Sequence, residues 1–377
     1  METFKPRTVI WDFTSKCNSR CVYCYDANDV EKQDMTVEQA KNVVLPRFKE
    51  AGVKTICFSG GEPLLRFDDI LSIATDVKNA GIVEVLLATN ATIITKEHIK
   101  KFKTAYKGCD IFMSVPLDSL NDEVMQELRP PFANGVFLSK LATKSALKQN
   151  VIVTIETVVT SKNFASYPAI FDFTKRCGSL CFAETYPFFK EGRGRDDDEL
   201  SLSVEQIQSL DEIKMANYGK CLTWDFMPFP VPDDVWNLIK HDARDAQITE
   251  GCIAGRDYIQ IGNDGTLYPC SFLRIPVGNI LEDSLVEVWN SNELLTRMRN
   301  RDVSGKCGNC PHVKVCGGCR ARAFSETGDP LGGVPSCKSS IDGHVLSKEF
   351  GKKVMKTYKK QKFLTKLLNI AKKMRLI

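Results

Sequence analysis

Short apolar, β-branched runs alternate with longer helix-like stretches over the first half of the chain. Strands are predicted over residues 8–13, 54–59, 83–89, 110–115, 151–159 and 179–185. Between them, apolar positions recur with helical spacing over 36–51, 67–81 and 138–150. Thr36, with Glu38 close behind, supplies a capping side chain and an acidic first turn for the first of these helices. Six strands alternating with helical segments predict a parallel sheet with helical crossovers, open or curled into a barrel. In such α/β folds the chemistry gathers in the loops after the strands' C-terminal ends.

The alternation fades near Arg195. Residues 193–199 are polar and charged and read as a linker, and the stretch over 200–250 carries Trp224, Trp236 and several prolines without a clear period. From Cys252 onward cysteines and glycines become dense, the pattern of a small unit organised by metal more than by a large apolar core. The expected organisation is therefore a barrel over 1–200, a bridging segment over 201–250, a cysteine-rich domain over 251–340 and a tail over 341–377.

Composition adds one strong constraint. The 377 residues are 43% apolar and 26% charged, as in ordinary globular proteins, but fifteen of them are cysteine. No N-terminal stretch reads as a signal peptide and no run of about 18 apolar residues spans a bilayer, so the expected location is the cytoplasm. Structural disulfides are not expected there, and clustered cysteines point to metal or redox chemistry. Charge is uneven. The formal net charge is +4, yet residues 349–377 hold ten Lys and Arg against one Glu, leaving a mildly acidic body with no nucleic-acid surface.

Two loops carry the candidate chemistry. Cys17, Cys21 and Cys24 follow the first predicted strand, and Ser59-Gly60-Gly61-Glu62-Pro63 follows the second. Three thiolates on a four-iron cube leave one iron open for a small ligand. Glycines permit close backbone approach, and Glu62 can accept hydrogen bonds from an ammonium group. Three close thiols also suit part of a zinc site, though a structural zinc site wants four ligands and the next cysteine, Cys57, lies on another strand.

Taken together, Cys17-x3-Cys21-x2-Cys24, Tyr23 before the last cysteine, and Gly60-Gly61-Glu62-Pro63 resemble the radical S-adenosylmethionine (SAM) superfamily. The resemblance implies a partial (β/α)6 barrel over roughly residues 5–200. It also implies a [4Fe–4S] cluster on the three cysteines and reductive cleavage of SAM to methionine and a 5′-deoxyadenosyl radical. By the same likeness Gly60, Gly61 and Glu62 hold the methionine amino group, with Tyr23 and Ser59 beside them. Thr89-Asn90-Ala91-Thr92 resembles a Thr-Asn-Gly-Thr segment that lines the SAM site, with Ala91 in place of glycine. Pro116, in Val115-Pro116-Leu117-Asp118, stands where relatives carry a serine, so no hydroxyl contact to the SAM ribose is carried over. Arg129 is a candidate partner for the SAM carboxylate, since a guanidinium binds carboxylates bidentately; the alternative is a solvated arginine before Pro130-Pro131.

The segment 251–337 is similar to SPASM domains, which extend radical SAM enzymes with auxiliary iron–sulfur clusters. The matching motifs are Asp264-Gly265-x4-Cys270, Gly278-Asn279-Ile280, Val288-Trp289 and Cys316-Gly317-Gly318-Cys319-Arg320-Ala321. The likeness assigns Cys307, Cys310, Cys316 and Cys337 to a distal [4Fe–4S] cluster and Cys252, Cys270 and Cys319 to a proximal one, for three clusters in all. The proximal set is one cysteine short, which leaves either an open iron or a non-cysteine ligand. Spacing alone also admits two zinc knuckles, with His312 completing the ligand count. Cys57, Cys109, Cys177, Cys181 and Cys221 are read as structural.

Three functions compete. The leading expectation is modification of a ribosomally made peptide, by crosslinking, thioether formation or epimerisation. The alternative is a small-molecule enzyme acting on tetrapyrrole side chains, because Glu191-Gly192-Arg193-Gly194 and the segment 316–329 resemble haem-pathway SPASM proteins. The third is a non-enzymatic electron carrier, against which the intact SAM-binding elements argue. An electron donor such as flavodoxin or ferredoxin is the implied partner. In the tail, apolar positions from Val354 to Met374 face one side of a helix and lysines the other, which suits docking on its own domain, an anionic membrane surface or an acidic peptide.

Overall fold

The computed structural model describes residues 5–26, 33–177, 179, 181–185, 192–194, 198–203, 205, 206, 209, 210, 213, 252–310 and 313–337. The expectations for Trp224, Trp236, Cys221, His312 and the basic tail lie outside these residues.

All six predicted strands form, as β1 (Thr8–Thr14), β2 (Thr55–Gly60), β3 (Glu84–Ala88), β4 (Asp110–Pro116), β5 (Ile152–Val158) and β6 (Cys181–Thr185). Each pairs in parallel with the next, so the sheet is ordered as the chain is. This is the mixed α/β arrangement expected of a partial (β/α)6 barrel. Helices cover the outer face. Thr36 caps the first helical run as expected, accepting from the Gln39 amide at 3.1 Å while the Gln39 side chain accepts from the Thr36 amide at 2.9 Å. The predicted helix over 67–81 forms as two pieces, Phe67–Ser72 and Ala74–Asn79. Among the described residues no helix is long and apolar enough to cross a membrane.

The sheet does not stop at β1. On its other side β1 pairs in parallel with β7 (Tyr258–Ile261), followed antiparallel by β8 (Thr266–Tyr268) and β9 (Gly278–Asn279). The expected second domain thus begins by extending the barrel's own sheet. One apolar cluster runs through both regions, joining Trp11, Phe13, Phe48 and Phe58 to Ile259, Ile261, Leu267, Ile280 and Trp289. Among the described residues the cysteine-rich part beyond it has small clusters of its own, which include Cys252, Cys270 and Cys319 in one and Cys307 in another.

The C-terminal ends of β1 to β5 all lie at one end of the sheet, as parallel pairing requires. There β1 carries an irregularity: Asp12 is opposite Ser59, but Thr14 is opposite Gly60. The extra residue turns the chain sharply out of the sheet and into the cysteine loop.

Candidate metal centres

The end of β2 is pressed against the loop that leaves β1. The amides of Gly61 and Glu62 donate to Thr14 O and Lys16 O, both at 2.8 Å. A methyl group on Gly60, at φ +110°, would sit 2.4 Å from Thr14 O, and one on Gly61 would sit 2.2 Å from Lys16 O. The two glycines therefore serve first to let one backbone pass another, seating the cysteine loop on β2. Ser59 is half-buried beside them, opposite Asp12.

Glu62 is buried, and its carboxylate reaches inward. One oxygen accepts from Leu64 N at 3.0 Å and Thr89 Oγ1 at 2.8 Å; the other accepts from Asn90 N at 2.7 Å. Burial raises its carboxyl to about 7, against the pull of these donors. Glu62 is thus a brace between the ends of β2 and β3. A carboxylate has about four lone-pair positions, so one remains for an ammonium ligand. Asn90 continues the brace, donating to Asn18 Oδ1 at 2.7 Å and lying 3.9 Å from Cys17 Sγ. Ala91 has φ +65°, in the left-handed region that favours glycine, the residue found in the segment it resembles.

Arg129 lies against the other side of the loop. Its Nε pairs with buried Asp118, its guanidinium stacks on the Tyr23 ring at 5.3 Å, and Nη1 is 3.7 Å from Cys21 Sγ. The Tyr23 hydroxyl donates to the same Asp118, which also accepts from Val158 N at 2.8 Å. The side chain is mostly buried, so Arg129 is not the solvated arginine of the alternative reading. Pro116 costs the sheet little: Leu117 N donates to Glu156 O at 2.8 Å, so the imino side of Pro116 faces β3, which has already ended.

Two contacts were not legible as functional in the sequence. Arg193, read as the start of a linker, donates from its amide to Cys24 O at 2.9 Å and from Nη1 to Cys21 O at 2.7 Å. A methyl group on Gly192 would lie 2.1 Å from Cys24 O. The Gly192-Arg193-Gly194 turn is therefore moulded on the cysteine loop; in the sequence it stands out only by its likeness to haem-pathway SPASM proteins, which gives no hint of this contact.

The later cysteines gather in two places. Cys252, Cys270 and Cys319 line one pocket with Ile253, Ala254, Tyr258, Phe272 and Ala321. Cys307 and Cys337 pack in a second cluster with Ala323 and Val334, and Cys316 lies close to both. A methyl group on Gly318, at φ +65°, would meet Cys307 Sγ at 2.7 Å, so the Gly-Gly turn makes room for the sulfur. Cys310 follows one turn after Cys307. Burial pushes the Cys316 thiol up to about 12 and moves Cys270 in the same direction.

Hydrogen bonds at sulfur mark several of the cysteines. Cys17, Cys270, Cys316 and Cys319 accept backbone N–H groups at Sγ, from Ser19 (3.4 Å), Phe272 (3.4 Å), Gly318 (3.0 Å) and Arg322 (3.4 Å). Cys57, Cys109 and Cys177 donate S–H to carbonyls of Phe58 (3.9 Å), Ile82 (3.6 Å) and Thr174 (3.3 Å), and Cys57 and Cys177 also receive backbone N–H groups, from Ala88 and Ser179. None of the thirteen cysteines whose side chains are described is in a disulfide. Among the described residues no group of three His, Cys, Asp or Glu closes tightly enough to hold a single metal ion.

Family comparison agrees with this architecture. Residues 11–163 match the radical SAM superfamily, and residues 252–311 match the SPASM iron–sulfur cluster-binding domain. The AdoMet-dependent heme synthase of Methanosarcina barkeri is 30% identical over 360 residues, covering 89% of this chain and 97% of that protein. The mycofactocin maturase MftC of Mycolicibacterium smegmatis is 29% identical over 360 residues, covering 91% of this chain and 86% of that protein. Among solved structures, Streptococcus suis SuiB bound to precursor peptide SuiA shares the fold, with a TM-score of 0.68, 21% identity, and coverage of 89% of this chain and 76% of that one. The chain belongs to the radical SAM superfamily. Within it, the protein is a radical SAM enzyme with a C-terminal SPASM domain, and SAM and iron–sulfur clusters are its cofactors.

Proposed function

We propose that Cys17, Cys21 and Cys24 hold the SAM-binding [4Fe–4S] cluster, that Cys252, Cys270 and Cys319 hold a proximal auxiliary cluster, and that Cys307, Cys310, Cys316 and Cys337 hold a distal one. The observation that carries this is the grouping of the cysteines: Cys252, Cys270 and Cys319 line one pocket, Cys307, Cys316 and Cys337 lie close together, and backbone N–H groups aim at sulfur in all three sets. When bound, the reduced cluster and SAM supply a 5′-deoxyadenosyl radical that removes a hydrogen atom from the substrate. The chain's own residues do the rest. Glu62 fixes the ends of β2 and β3 and offers its free lone pair to the SAM ammonium, with Gly60, Gly61, Ser59, Thr89 and Asn90 around it. Arg129, held by Asp118 and Tyr23, keeps its charge beside Cys21 and within reach of the SAM carboxylate.

For the substrate, the reading favoured here is a tetrapyrrole whose side chains are modified. It rests on the 30% identity to an AdoMet-dependent heme synthase along nearly that protein's whole length. It rests also on the Gly192-Arg193-Gly194 turn, shared in sequence with haem-pathway proteins and seated here on the cysteine loop. Peptide modification is the second reading, supported by the 29% identity to a mycofactocin maturase. An external one-electron donor of the flavodoxin or ferredoxin type reduces the enzyme.

The test is anaerobic reconstitution followed by SAM and dithionite. The expected result is about twelve irons per chain, release of 5′-deoxyadenosine, and faster release with an iron porphyrin bearing carboxylate side chains. Full iron loading without 5′-deoxyadenosine overturns the enzymatic assignment of these residues. Stimulation by peptides but not by porphyrins replaces the first substrate reading with the second.

A further inference from the structure

The cysteine loop is gripped at both ends by residues from the SPASM region. At the exit, just past Cys24, Arg274 reaches back from the auxiliary-cluster side. Its Nη1 lies 3.0 Å from Asp12 Oδ2 on β1, and its Nη2 pairs with Asp26. The Arg274 side chain is 7% exposed and Asp12 is 1% exposed, so this is a buried pairing. The guanidinium is stacked between the rings of Tyr25, at 5.4 Å, and Tyr268, at 4.7 Å. Beside it, Tyr25 packs edge-on against Phe272 at 5.1 Å. Phe272 is the residue whose amide is aimed at Cys270 Sγ. At the entry, Asp34 accepts from Thr14 Oγ1 at 2.5 Å and Ser15 N at 2.8 Å. Asn263, in the turn between β7 and β8, donates to that same carboxylate at 2.9 Å and accepts from Met35 N at 2.7 Å.

We infer that Arg274 is a positioning residue through which the auxiliary-cluster region sets the geometry of the SAM-cluster loop. Two acids from different elements, Asp12 and Asp26, are brought together only because one planar cation pairs with both. Lysine, a point charge, cannot reproduce that fork between two flanking rings. Arg274 lies four residues after Cys270, so ordering the chain around the proximal auxiliary site also orders the guanidinium. The two cluster sites are thereby linked in position as well as by electron flow.

The inference rests on the reading of Cys17, Cys21 and Cys24 as the SAM-cluster ligands, and the experiment separates the two. The full chain, anaerobically reconstituted, is compared with Arg274→Lys, Asp26→Asn and the surface control Arg297→Gln. Iron content and the electron paramagnetic resonance spectrum of the reduced protein are recorded with and without SAM. The expected result is full iron in every variant and an unaltered SAM-induced spectral change in Arg297→Gln. In Arg274→Lys and Asp26→Asn that change should be diminished, and 5′-deoxyadenosine formation should fall about tenfold, as for supporting residues around metal sites. If Arg274→Lys does not fold, Asp26→Asn decides alone, since it leaves the Arg274 to Asp12 pairing intact. A wild-type spectral response shared by both variants overturns the clamp only. A loaded wild type that does not respond to SAM overturns the reading of the loop, and the clamp with it.

Discussion

Glu62 shows how much a single side chain can be asked to do at this end of the barrel. Its carboxyl is raised to about 7, from 4.5, because burial disfavours the charge more than three donors favour it. Between those values the native protein holds a proton that the unfolded chain has lost. Its contribution to stability is therefore complete below about pH 4.5 and is lost as the pH rises through 7. In thermal melts of the metal-free protein, Tm should fall between pH 5 and 7.5 on this account, by a free energy of up to about 3 kcal/mol. Glu62→Gln should be less stable overall, since its amide faces the Asn90 N–H, but should lose that slope; an unchanged slope assigns it to another group. Ala91 makes a second residue-scale case. Its left-handed backbone costs about 1–2 kcal/mol. Glycine would relieve this but forfeit a buried methyl worth about 0.8 kcal/mol and add flexibility to the unfolded chain. Ala91→Gly should therefore stay within about 1 kcal/mol of wild type by denaturant unfolding, whereas Ala91→Val, β-branched at positive φ, should be severely destabilised. The placing of the cysteines gives a third: Cys57→Ala, on β2, should keep all its iron, and Cys17→Ala, in the cysteine loop, should lose about four irons per chain, counted after reconstitution.

At the scale of elements, local sequence placed strands well because β1, β2 and β5 are largely buried and rich in β-branched residues, a signal that needs no partner to be read. Helix ends were less legible. The helix predicted over 138–150 runs instead over Gly135–Leu147. Its start is set by Asp122, whose Oδ1 accepts from Val136 N at 3.1 Å, and no local cap announces it. It ends where Asn150 takes φ +57° and Val151 N closes on Ala146 O. Arg320 belongs to this scale too. In sequence it is one letter of the Cys-Gly-Gly-Cys-Arg motif, but it is 1% exposed and ties that turn together through Gly318 O at 3.1 Å and Gly332 O at 2.7 Å. Arg320→Met removes these charged donors from buried carbonyls and should cost about 3 kcal/mol. Loss of auxiliary-site iron, measured as irons per chain, should accompany that destabilisation.

On the scale of the molecule, the two regions differ in what supports them. Strands β7 and β8 share the barrel's large apolar cluster through Ile259, Ile261 and Leu267, whereas residues 305–337 rest on a few small contacts around their cysteines. Stripping the iron should therefore leave amide protection at Ile259 and Ile261 nearly intact while residues 305–337 exchange rapidly. Hydrogen exchange of loaded and chelator-treated protein measures this, and uniform protection in both would show that the region folds without metal. Taken alone, the sequence determined where the first six strands lie along the chain, the cysteine spacings and the paired loops at the ends of β1 and β2. These are local in the chain, and their chemistry is carried by residue type. Only the tertiary structure decided what those loops lean on. Gly60 and Gly61 turned out to seat a neighbouring backbone, Arg193 to cap the cysteine loop and Arg274 to join Asp12 to Asp26. Such roles depend on residues far apart in the chain, from 45 positions for Gly61 and Lys16 to 262 for Arg274 and Asp12, meeting at one end of a sheet, and no spacing along the chain records that meeting.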